Sequence, residues 1–426
     1  MNQVEPSSAA DPARRGFVRQ SALLAAGSLL GLVPPRVRAG AWAAGTDAPE
    51  KTELRVGFIP LTDCASVVIA ATQGFDRKHG LTITPVKHAS WAAVRDGLLA
   101  GELDAAHALY GLVYGVQMGI GGLQSDMAVL MTLNRNGQGI TLSNRLRERG
   151  VTDGATLSAF AANARERLNF AQTFPTGTHA MWLYYWLSAH GVHPLRDADM
   201  RTVPPPRMVD NLHDGRIDGC CVGEPWNAYA IQASAGFTVA TSQTVWPDHP
   251  EKVLGATAEF VERYPNAARA LIMAVLEASR YIDMVGNRSK VARIIAAEPY
   301  VGTELSAIEP RFLGHYDDGL GRSWIDPHPT QFHADGAVNF PYLSDGMWFL
   351  TQHRRWGLLR HEPDYRAIAE RVNRVDLYRE AALQLNVPVP EDSMRSSTLL
   401  DGRVWDGREA ARYATGFAQR AELTPA

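Results

Sequence analysis

The stretch FPTGTHAMW, residues 174–182, concentrates side chains that could do chemistry. Thr176 and Thr178 supply hydroxyls and His179 supplies an imidazole N–H, all hydrogen-bond donors. Gly177 allows a ligand to approach the backbone closely. Because a helix-like run follows, the loop could hold a small anion at a helix N-terminus. The alternative is an ordinary helix start, in which a threonine caps the helix and His179 has no binding role.

Three other segments carry single polar side chains that could donate to the same ligand. Gln138 lies between two glycines before a strand-like stretch, where its amide could donate from a tight turn or be solvated. Trp91 begins a predicted helix, and its indole could line a cleft or belong to the core. Lys252 follows Glu251, and most lysines in such a setting are solvated. Each residue therefore has a binding and a structural interpretation.

Signatures of the common enzyme classes are absent from the sequence. There is no Gly-x-Ser-x-Gly elbow, no phosphate-binding loop, no dinucleotide fingerprint, and no Cys-x-x-Cys or His-Glu-x-x-His spacing. The 13 histidines are dispersed, and His79 and His249 are expected to be polar surface residues. Cys64, Cys220 and Cys221 are expected to be small buried residues. We predict no catalytic residue, no metal and no cofactor.

The composition limits the kinds of partner. The chain has 426 residues, of which 46% are hydrophobic, so it can bury a sizeable core. Its formal net charge is −3, and acidic and basic residues are interspersed, which gives no footprint for nucleic acid or an anionic membrane. Affinity for an anion must therefore be local.

The N-terminal segment is predicted to be a targeting signal and not part of the fold. Arg14 and Arg15 precede an apolar stretch at 21–33, which resembles a Tat export signal. The mature protein is expected to start near residues 40–46 and to be periplasmic. No cysteine lies near the end of the signal, so no lipid anchor is predicted. The alternative is a basic, disordered tail.

The elements that must position these side chains alternate between strand and helix. A strand-like stretch at 54–60, a helix-like one at 64–80 and another strand at 81–86 indicate a βαβ unit. Helices are predicted at 155–168 and 263–295. Two further helices, at 347–359 and 365–385, are expected to pack over the rest of the fold.

An internal sequence repeat at an offset of 114 residues indicates that the chain contains two copies of one α/β unit. VRDGLLAGELDAA (94–106) and MVDNLHDGRIDGC (208–220) share leucine, glycine and aspartate at identical spacing. The same offset places Thr62 opposite Thr176. Two α/β halves predict two lobes, and ligands in such folds bind where strand ends meet helix N-termini. The loops that contain these threonines are then expected to face each other across a cleft.

The order of these signals suggests how the chain is divided. We expect the signal and linker at 1–45, a first lobe at 53–145 and a second lobe at 146–242. The chain then returns to the first lobe at 243–345, and residues 346–426 form a C-terminal extension.

Several segments together resemble the nitrate and bicarbonate solute-binding proteins of ABC transporters, close to the nitrate/nitrite-binding branch. They run in order from about residue 54 to 358 and are GFIPLTDCAS, SWAAVRDGLLAGELDAAHAL, NGQGITLS, TFPTGTHAMWLYYWL, GEPWN, DHPEKVLG and FPYLSDGMWFLTQHRRWG. The resemblance implies an α/β, two-lobed periplasmic-binding-protein fold of type II with a helical, irregular C-terminal extension.

The resemblance also implies a ligand and a site. Trp91, Gln138, His179 and Lys252 match positions that hold the oxyanion, with Thr178 nearby. A lysine at the last position is similar to the nitrate branch, whereas the bicarbonate branch has an acidic residue and a metal there. We therefore expect capture of nitrate or nitrite for an ABC permease in the inner membrane, without chemistry.

Other functions on the same fold are the alternatives. They are a bicarbonate or other small-anion binder, a sensor that reports to a partner, and an enzyme similar to pyrimidine synthases or desulfinases. An enzyme would need a reactive histidine or cysteine and a cavity for an organic substrate.

Overall fold

Two five-stranded mixed sheets organise the chain. The computed structural model describes residues 48–284 and 286–421; the predicted export signal lies outside them. In the first sheet the strands are β1 (Glu53–Phe58), β2 (Thr82–Lys87), β3 (Ala105–Leu109), β4 (Met127–Arg135) and β10 (Pro250–Thr257). In the second they are β5 (Gln138–Ser143), β6 (Leu168–Gln172), β7 (Ala198–Thr202), β8 (Gly219–Gly223) and β9 (Gly236–Thr241).

Both sheets have the same topology. The strand order is β2-β1-β3-β10-β4 in the first sheet and β7-β6-β8-β5-β9 in the second. In each sheet the three strands on one side run parallel, and the strand that arrives from the other lobe pairs antiparallel with both its neighbours. Two sheets of this kind, each with its helices, make the predicted two-lobed α/β fold, which is confirmed.

Helices cover the sheets and build the C-terminal part. They are α1 (Ala65–Thr72), α2 (Phe75–Lys78), α3 (Trp91–Leu99), α4 (Tyr110–Gln117), α5 (Asn144–Arg147), α6 (Gly154–Asn163), α7 (Thr178–Ala189), α8 (Met208–His213), α9 (Trp226–Gln232), α10 (Ser242–Val245), α11 (Ala258–Arg263), α12 (Pro265–Asp283), α13 (Arg288–Ala296), α14 (Leu305–Phe312), α15 (Leu343–Arg355), α16 (Tyr365–Val372), α17 (Val375–Gln384) and α18 (Ala410–Thr415). Short 3-10 turns occur at Thr62–Cys64, Pro205–Arg207 and Ala334–Gly336, and two small hairpins pair β11 (His315–Asp317) with β12 (Ser323–Ile325) and β13 (Ser397–Thr398) with β14 (Val404–Trp405).

The repeated aspartates make equivalent hydrogen bonds in the two lobes. A carboxylate oxygen of Asp104 accepts a hydrogen bond from the backbone N–H of Arg55 at 2.9 Å, and one of Asp218 accepts from that of Asn169 at 2.8 Å. The glycine three residues before each aspartate is left-handed, with φ of 71° and 66°. The sequence repeat at 114 residues therefore corresponds to one supersecondary unit that occurs in both lobes.

The chain crosses between the lobes at Asn136 and Gly137. Because β5 already belongs to the second sheet, the crossing lies here and not near residue 145. Both residues have positive φ, 62° and 91°, which bends the chain sharply between β4 and β5. A Cβ at Gly137 would lie 2.5 Å from Oγ1 of Thr330, so the space also requires glycine. The return crossing lies between β9 and β10.

The C-terminal part contacts both lobes. Helix α15 packs on α4 of the first lobe and on α7 of the second. The helix predicted at 365–385 is interrupted at Asn373, whose amide donates to the Tyr110 hydroxyl at 2.8 Å and accepts from that of Tyr114 at 2.9 Å. The helix predicted at 263–295 is likewise two helices, α12 and α13. In the described part of the chain, no helix is both long and apolar enough to span a membrane.

Candidate functional site

Helix α7 begins without a side-chain cap. Its N-cap residue is Gly177, so the expectation that Thr176 or Thr178 could be a plain cap is wrong. The Thr178 hydroxyl instead lies 3.4 Å from the backbone oxygen of Glu251, which it meets from the other lobe. The Thr176 hydroxyl is buried without a hydrogen-bond partner. The start of this helix therefore leaves the Thr176 hydroxyl without an acceptor in the protein.

His179 is fully buried, and only one of its two ring nitrogens forms a hydrogen bond. Its Nδ1 lies 2.7 Å from Oγ1 of Thr173. Its Nε2 lies 3.0 Å from Oε1 of Glu251, but off the line of the ring N–H, so Nε2 has no hydrogen-bond partner. Burial lowers the pKa of His179, and the nearby Glu251 carboxylate only partly opposes this effect. At neutral pH the ring is therefore uncharged, with one nitrogen available to a ligand.

Lys252 is fully buried between two carboxylates, so the expectation that most such lysines are solvated does not apply to it. Its Nζ donates to Oδ2 of Asp63 at 2.8 Å and also contacts Oε1 of Glu251. Burial opposes the charged form, but the two carboxylates together raise the pKa of Lys252. Conversely, Lys252 holds the pKa of Asp63 and of Glu251 below their ordinary values, although burial alone would raise both. All three groups are therefore ionised.

Two further histidines extend this buried cluster. Nε2 of His107 donates to Oδ1 of Asp63 at 2.7 Å. His249 is fully buried, which corrects the expectation of a surface residue, and its Nδ1 lies 3.7 Å from Oε2 of Glu251. Burial lowers the pKa of His107, and it lowers that of His249 to about 3. Both rings are neutral at neutral pH.

Trp91 lies at the first position of α3, where Ser90 is the N-cap. Its ring lies 5.7 Å from Nζ of Lys252 and its centroid 5.6 Å from that of His107. The side chain is fully buried, yet its indole N–H has no hydrogen-bond partner. It is thus both a core residue and the carrier of a free donor.

Gln138 begins β5, immediately after the crossing between the lobes. It is 2% exposed, so a solvated turn is wrong. Both atoms of its amide are buried without a hydrogen-bond partner, while Oγ of Ser242 donates to its backbone oxygen at 3.3 Å. A buried amide with no partner is costly, which indicates that a ligand or water satisfies it.

The structure brings four of the five predicted residues together, two of them through Glu251. Trp91 faces Lys252, and both Thr178 and His179 contact Glu251, the neighbour of Lys252 in the chain. Gln138 makes no side-chain hydrogen bond to the other four within the described residues. In the chain, Gln138 directly follows the segment that connects the two lobes.

Loops of the two lobes touch beside this cluster. The backbone N–H of Thr62 donates to the backbone oxygen of Glu224 at 2.8 Å. The indole of Trp226 donates to the backbone oxygen of Pro60 at 3.0 Å. The Glu224 carboxylate pairs with Arg311 at 2.6 Å, which neutralises it. These contacts join the Thr62 loop to residues 224–226 of the second lobe and not to the loop that contains Thr176, so the predicted facing of the two threonine loops stays a prediction.

Sequence reasoning missed the acidic residues and Thr173. Asp63 directly follows Thr62 in the echoed loop, so its position was a usable signal. Glu251 directly precedes the candidate Lys252, so its position in the sequence was also a usable signal. Nothing local marks His107, which lies on β3 and meets Asp63 only in the fold.

The cluster gives no support to metal or thiol chemistry. No group of histidine, cysteine, aspartate and glutamate side chains in residues 48–284 and 286–421 has the arrangement of a metal site. All three cysteines are buried, as predicted, and burial raises the pKa of each thiol, that of Cys220 to about 12.

Comparisons with known proteins agree with this architecture. The model of the NMT1-like family matches residues 47–296. The nitrate/nitrite binding protein NrtA of Synechocystis is 38% identical over 87% of this chain and 85% of its own length, and NrtA of Synechococcus elongatus is 39% identical over 89% of each. The solved structure of the periplasmic nitrate-binding protein NrtA from Synechocystis has a TM-score of 0.83, with 36% identity over 87% of this chain and 99% of that one.

A longer relative matches in part. The nitrate import ATP-binding protein NrtC of Synechocystis is 38% identical to 88% of this chain, which spans 56% of that protein's length. The alkanesulfonate-binding protein SsuA from Xanthomonas axonopodis, at 15% identity and a TM-score of 0.54, shares the fold alone.

Proposed function

Because the chain belongs to the NMT1-like family and is homologous to the nitrate/nitrite-binding proteins, we propose that it binds nitrate or nitrite between its two lobes. The binding site comprises Trp91, Gln138, Thr178, His179 and Lys252. No bond of the anion is made or broken, so the protein is a solute-binding protein and not an enzyme.

One observation carries this proposal. Trp91, Gln138 and His179 are candidates from the sequence, and each has a buried polar atom without a hydrogen-bond partner in the described structure. Proteins rarely leave such atoms unpaired, because each costs roughly 1–3 kcal/mol. Two of them, on Trp91 and His179, lie beside the buried ion pair of Lys252 and Glu251, where a ligand with several acceptor oxygens would satisfy them.

The side chains divide the work of binding. The indole of Trp91, the amide of Gln138 and Nε2 of His179 donate hydrogen bonds to the oxygens of the anion. Lys252 supplies the positive charge, and its two carboxylate partners fix its position. Thr178 orients the start of α7 through its contact with Glu251. Neutral hydrogen-bond donors suit a weakly hydrated monoanion.

Export and delivery complete the proposed role. The twin-arginine segment would direct the chain to the periplasm by the Tat route, and the bound anion would pass to an ABC permease in the inner membrane. The relatives support this, since one is a periplasmic nitrate-binding protein and another a nitrate import ATP-binding protein.

Bicarbonate is the second candidate, and one atom favours it. Oε2 of Glu251 is buried without a hydrogen-bond partner. Bicarbonate carries an O–H that could donate to this oxygen, whereas nitrate and nitrite have no donor. The lysine at 252 favours the nitrate branch.

Calorimetry of the purified protein tests the proposal. Titration with nitrate and with nitrite should each give saturable binding at one site per chain, and bicarbonate should bind more weakly. Absence of heat with nitrate, nitrite, bicarbonate and cyanate would contradict an anion-binding role. Tighter binding of bicarbonate than of nitrate would favour the second candidate.

A further inference from the structure

The buried cluster around Lys252 has one more negative than positive charge. Asp63 and Glu251 are both ionised and both contact the ammonium of Lys252. Within the described residues, no second lysine or arginine lies within 4.0 Å of either carboxylate. The neighbouring histidines are held neutral by burial. The site without its ligand therefore carries a charge of about −1.

This charge is unfavourable for the proposed ligand. A monoanion placed beside the cluster would raise the buried negative charge to two, with no water to screen it. The ammonium of Lys252 is already shared by two carboxylates. A further positive charge is needed, and a proton from solvent is the available source.

His179 is the group best placed to take up that proton. Its Nε2 lies 3.0 Å from a carboxylate oxygen of Glu251, and its Nδ1 lies 2.7 Å from the Thr173 hydroxyl. A hydroxyl can donate to a neutral ring nitrogen and can equally accept from a protonated one. The surroundings of His179 thus accommodate both the neutral ring and the imidazolium.

Resting on the proposed anion site, we propose that one proton binds together with the anion and resides on the imidazole of His179. In the complex, Nδ1–H donates to Thr173 and Nε2–H lies between the anion and Glu251. No covalent step is involved, since the proton comes from solvent and returns to it on release.

The groups around His179 are consistent with this assignment. The charged groups that act on it are Glu251, Lys252 and Asp63, and His249 lies nearest the other carboxylate oxygen of Glu251. The other ionisable residues on the elements packed against α7 are Tyr110 and Tyr114 on α4, Cys220 and Cys221 on β8, and Asp345, His353, Arg354 and Arg355 on α15. None of these forms an ion pair with His179 in the part of the chain that the structure describes.

The other two histidines are less suited to hold the proton. His107 already donates to Asp63 through Nε2, and its Nδ1 has no hydrogen-bond partner that could accept from a protonated ring. His249 is 3.7 Å from Glu251 and packs edge-on against Trp182 and Trp246. His107 therefore serves as a matched control, because it is an equally buried imidazole on the other carboxylate.

Calorimetry in buffers of different ionisation enthalpy measures the proton directly. Nitrate is titrated near pH 7.5 in phosphate, HEPES and Tris, and the observed enthalpy is plotted against the buffer ionisation enthalpy. The expected slope corresponds to uptake of about one proton per anion. Nitrate affinity should also fall about tenfold per pH unit wherever only the complex holds the proton. Nitrate binding with a slope near zero would overturn the proposal and leave the proposed function intact.

Three variants locate the proton. His179→Gln keeps an N–H donor without a titratable ring, so its residual binding should show no proton uptake. Glu251→Gln removes one negative charge, and its nitrate binding should likewise lose the uptake. His107→Gln should retain it. Undiminished uptake in His179→Gln, or its loss in His107→Gln alone, would exclude His179 as the proton's position.

Discussion

The ammonium of Lys252 lies 2.8 Å from Oδ2 of Asp63, and neither side chain reaches solvent. Lys252 lies on β10 and Asp63 in the turn after β1, so the pair joins the ends of two strands of one sheet. Glu251 contacts the same ammonium and reaches α7 of the other lobe. The charged centre of the proposed site is thus also a connection between the lobes.

Removal of the lysine charge should destabilise the protein as well as abolish anion binding. Lys252→Met leaves two buried carboxylates without a partner, and we expect a loss of about 3–5 kcal/mol in the free energy of unfolding. The double variant Lys252→Met with Asp63→Asn should recover part of this loss but no binding. Denaturant titration and nitrate calorimetry measure the two effects, and full stability in the single variant would contradict the ion-pair geometry.

Substitution of Gln138 should weaken nitrate binding without destabilising the protein. Its amide has no partner in the protein, so Gln138→Leu should leave the free energy of unfolding unchanged or raise it by about 1 kcal/mol, while nitrate binding weakens at least tenfold. Asn339→Leu is the control, since its amide donates to the backbone oxygens of Thr132 and Phe332 at 3.0 Å and 2.8 Å. That variant should lose stability. Unchanged nitrate affinity in Gln138→Leu would remove Gln138 from the site.

The stability of the protein should decline as the pH falls from about 6.5 toward 3. The folded-state pKa of His249 is lowered to about 3, so below its ordinary value of about 6.5 the unfolded chain binds the proton that the fold excludes. Stability therefore rises with pH through this window, by up to about 1.4 kcal/mol per pH unit for one group. His249→Gln should flatten the curve, whereas His213→Gln, at a side chain 72% exposed, should not. Chemical denaturation at a series of pH values measures the slope.

The C-terminal helix α15 should support the ligand loop. Nε2 of His353 donates to the backbone oxygen of Thr176 at 2.8 Å, and burial lowers the pKa of His353 to about 4, so the ring is neutral at neutral pH. His353→Leu should weaken nitrate binding several-fold because the loop loses this anchor, with a loss of about 1–3 kcal/mol in stability. The exposed His361 provides a control substitution with no effect. Equal nitrate affinity in both variants would show that the extension does not hold the loop.

The sequence by itself determined the repeated framework. Spacing of glycine and aspartate fixed the two equivalent turns, because a left-handed residue and a short carboxylate that accepts from the backbone are local requirements. The sequence also indicated five candidate ligand residues, because each is a hydrogen-bond donor in a segment that resembles the family. They are Trp91, Gln138, Thr178, His179 and Lys252. Their binding role stays a prediction.

Only the tertiary structure decided how these residues are charged and partnered. The fold brings His107 to Asp63, Asp63 to Lys252 and Glu251 to His179, across separations of 44 to 189 residues. Local periodicity does not encode such distances. Burial set the pKa directions, because the cost of desolvation depends on the whole surrounding fold and not on neighbours in the chain. For the same reason His249, expected at the surface, lies in the core.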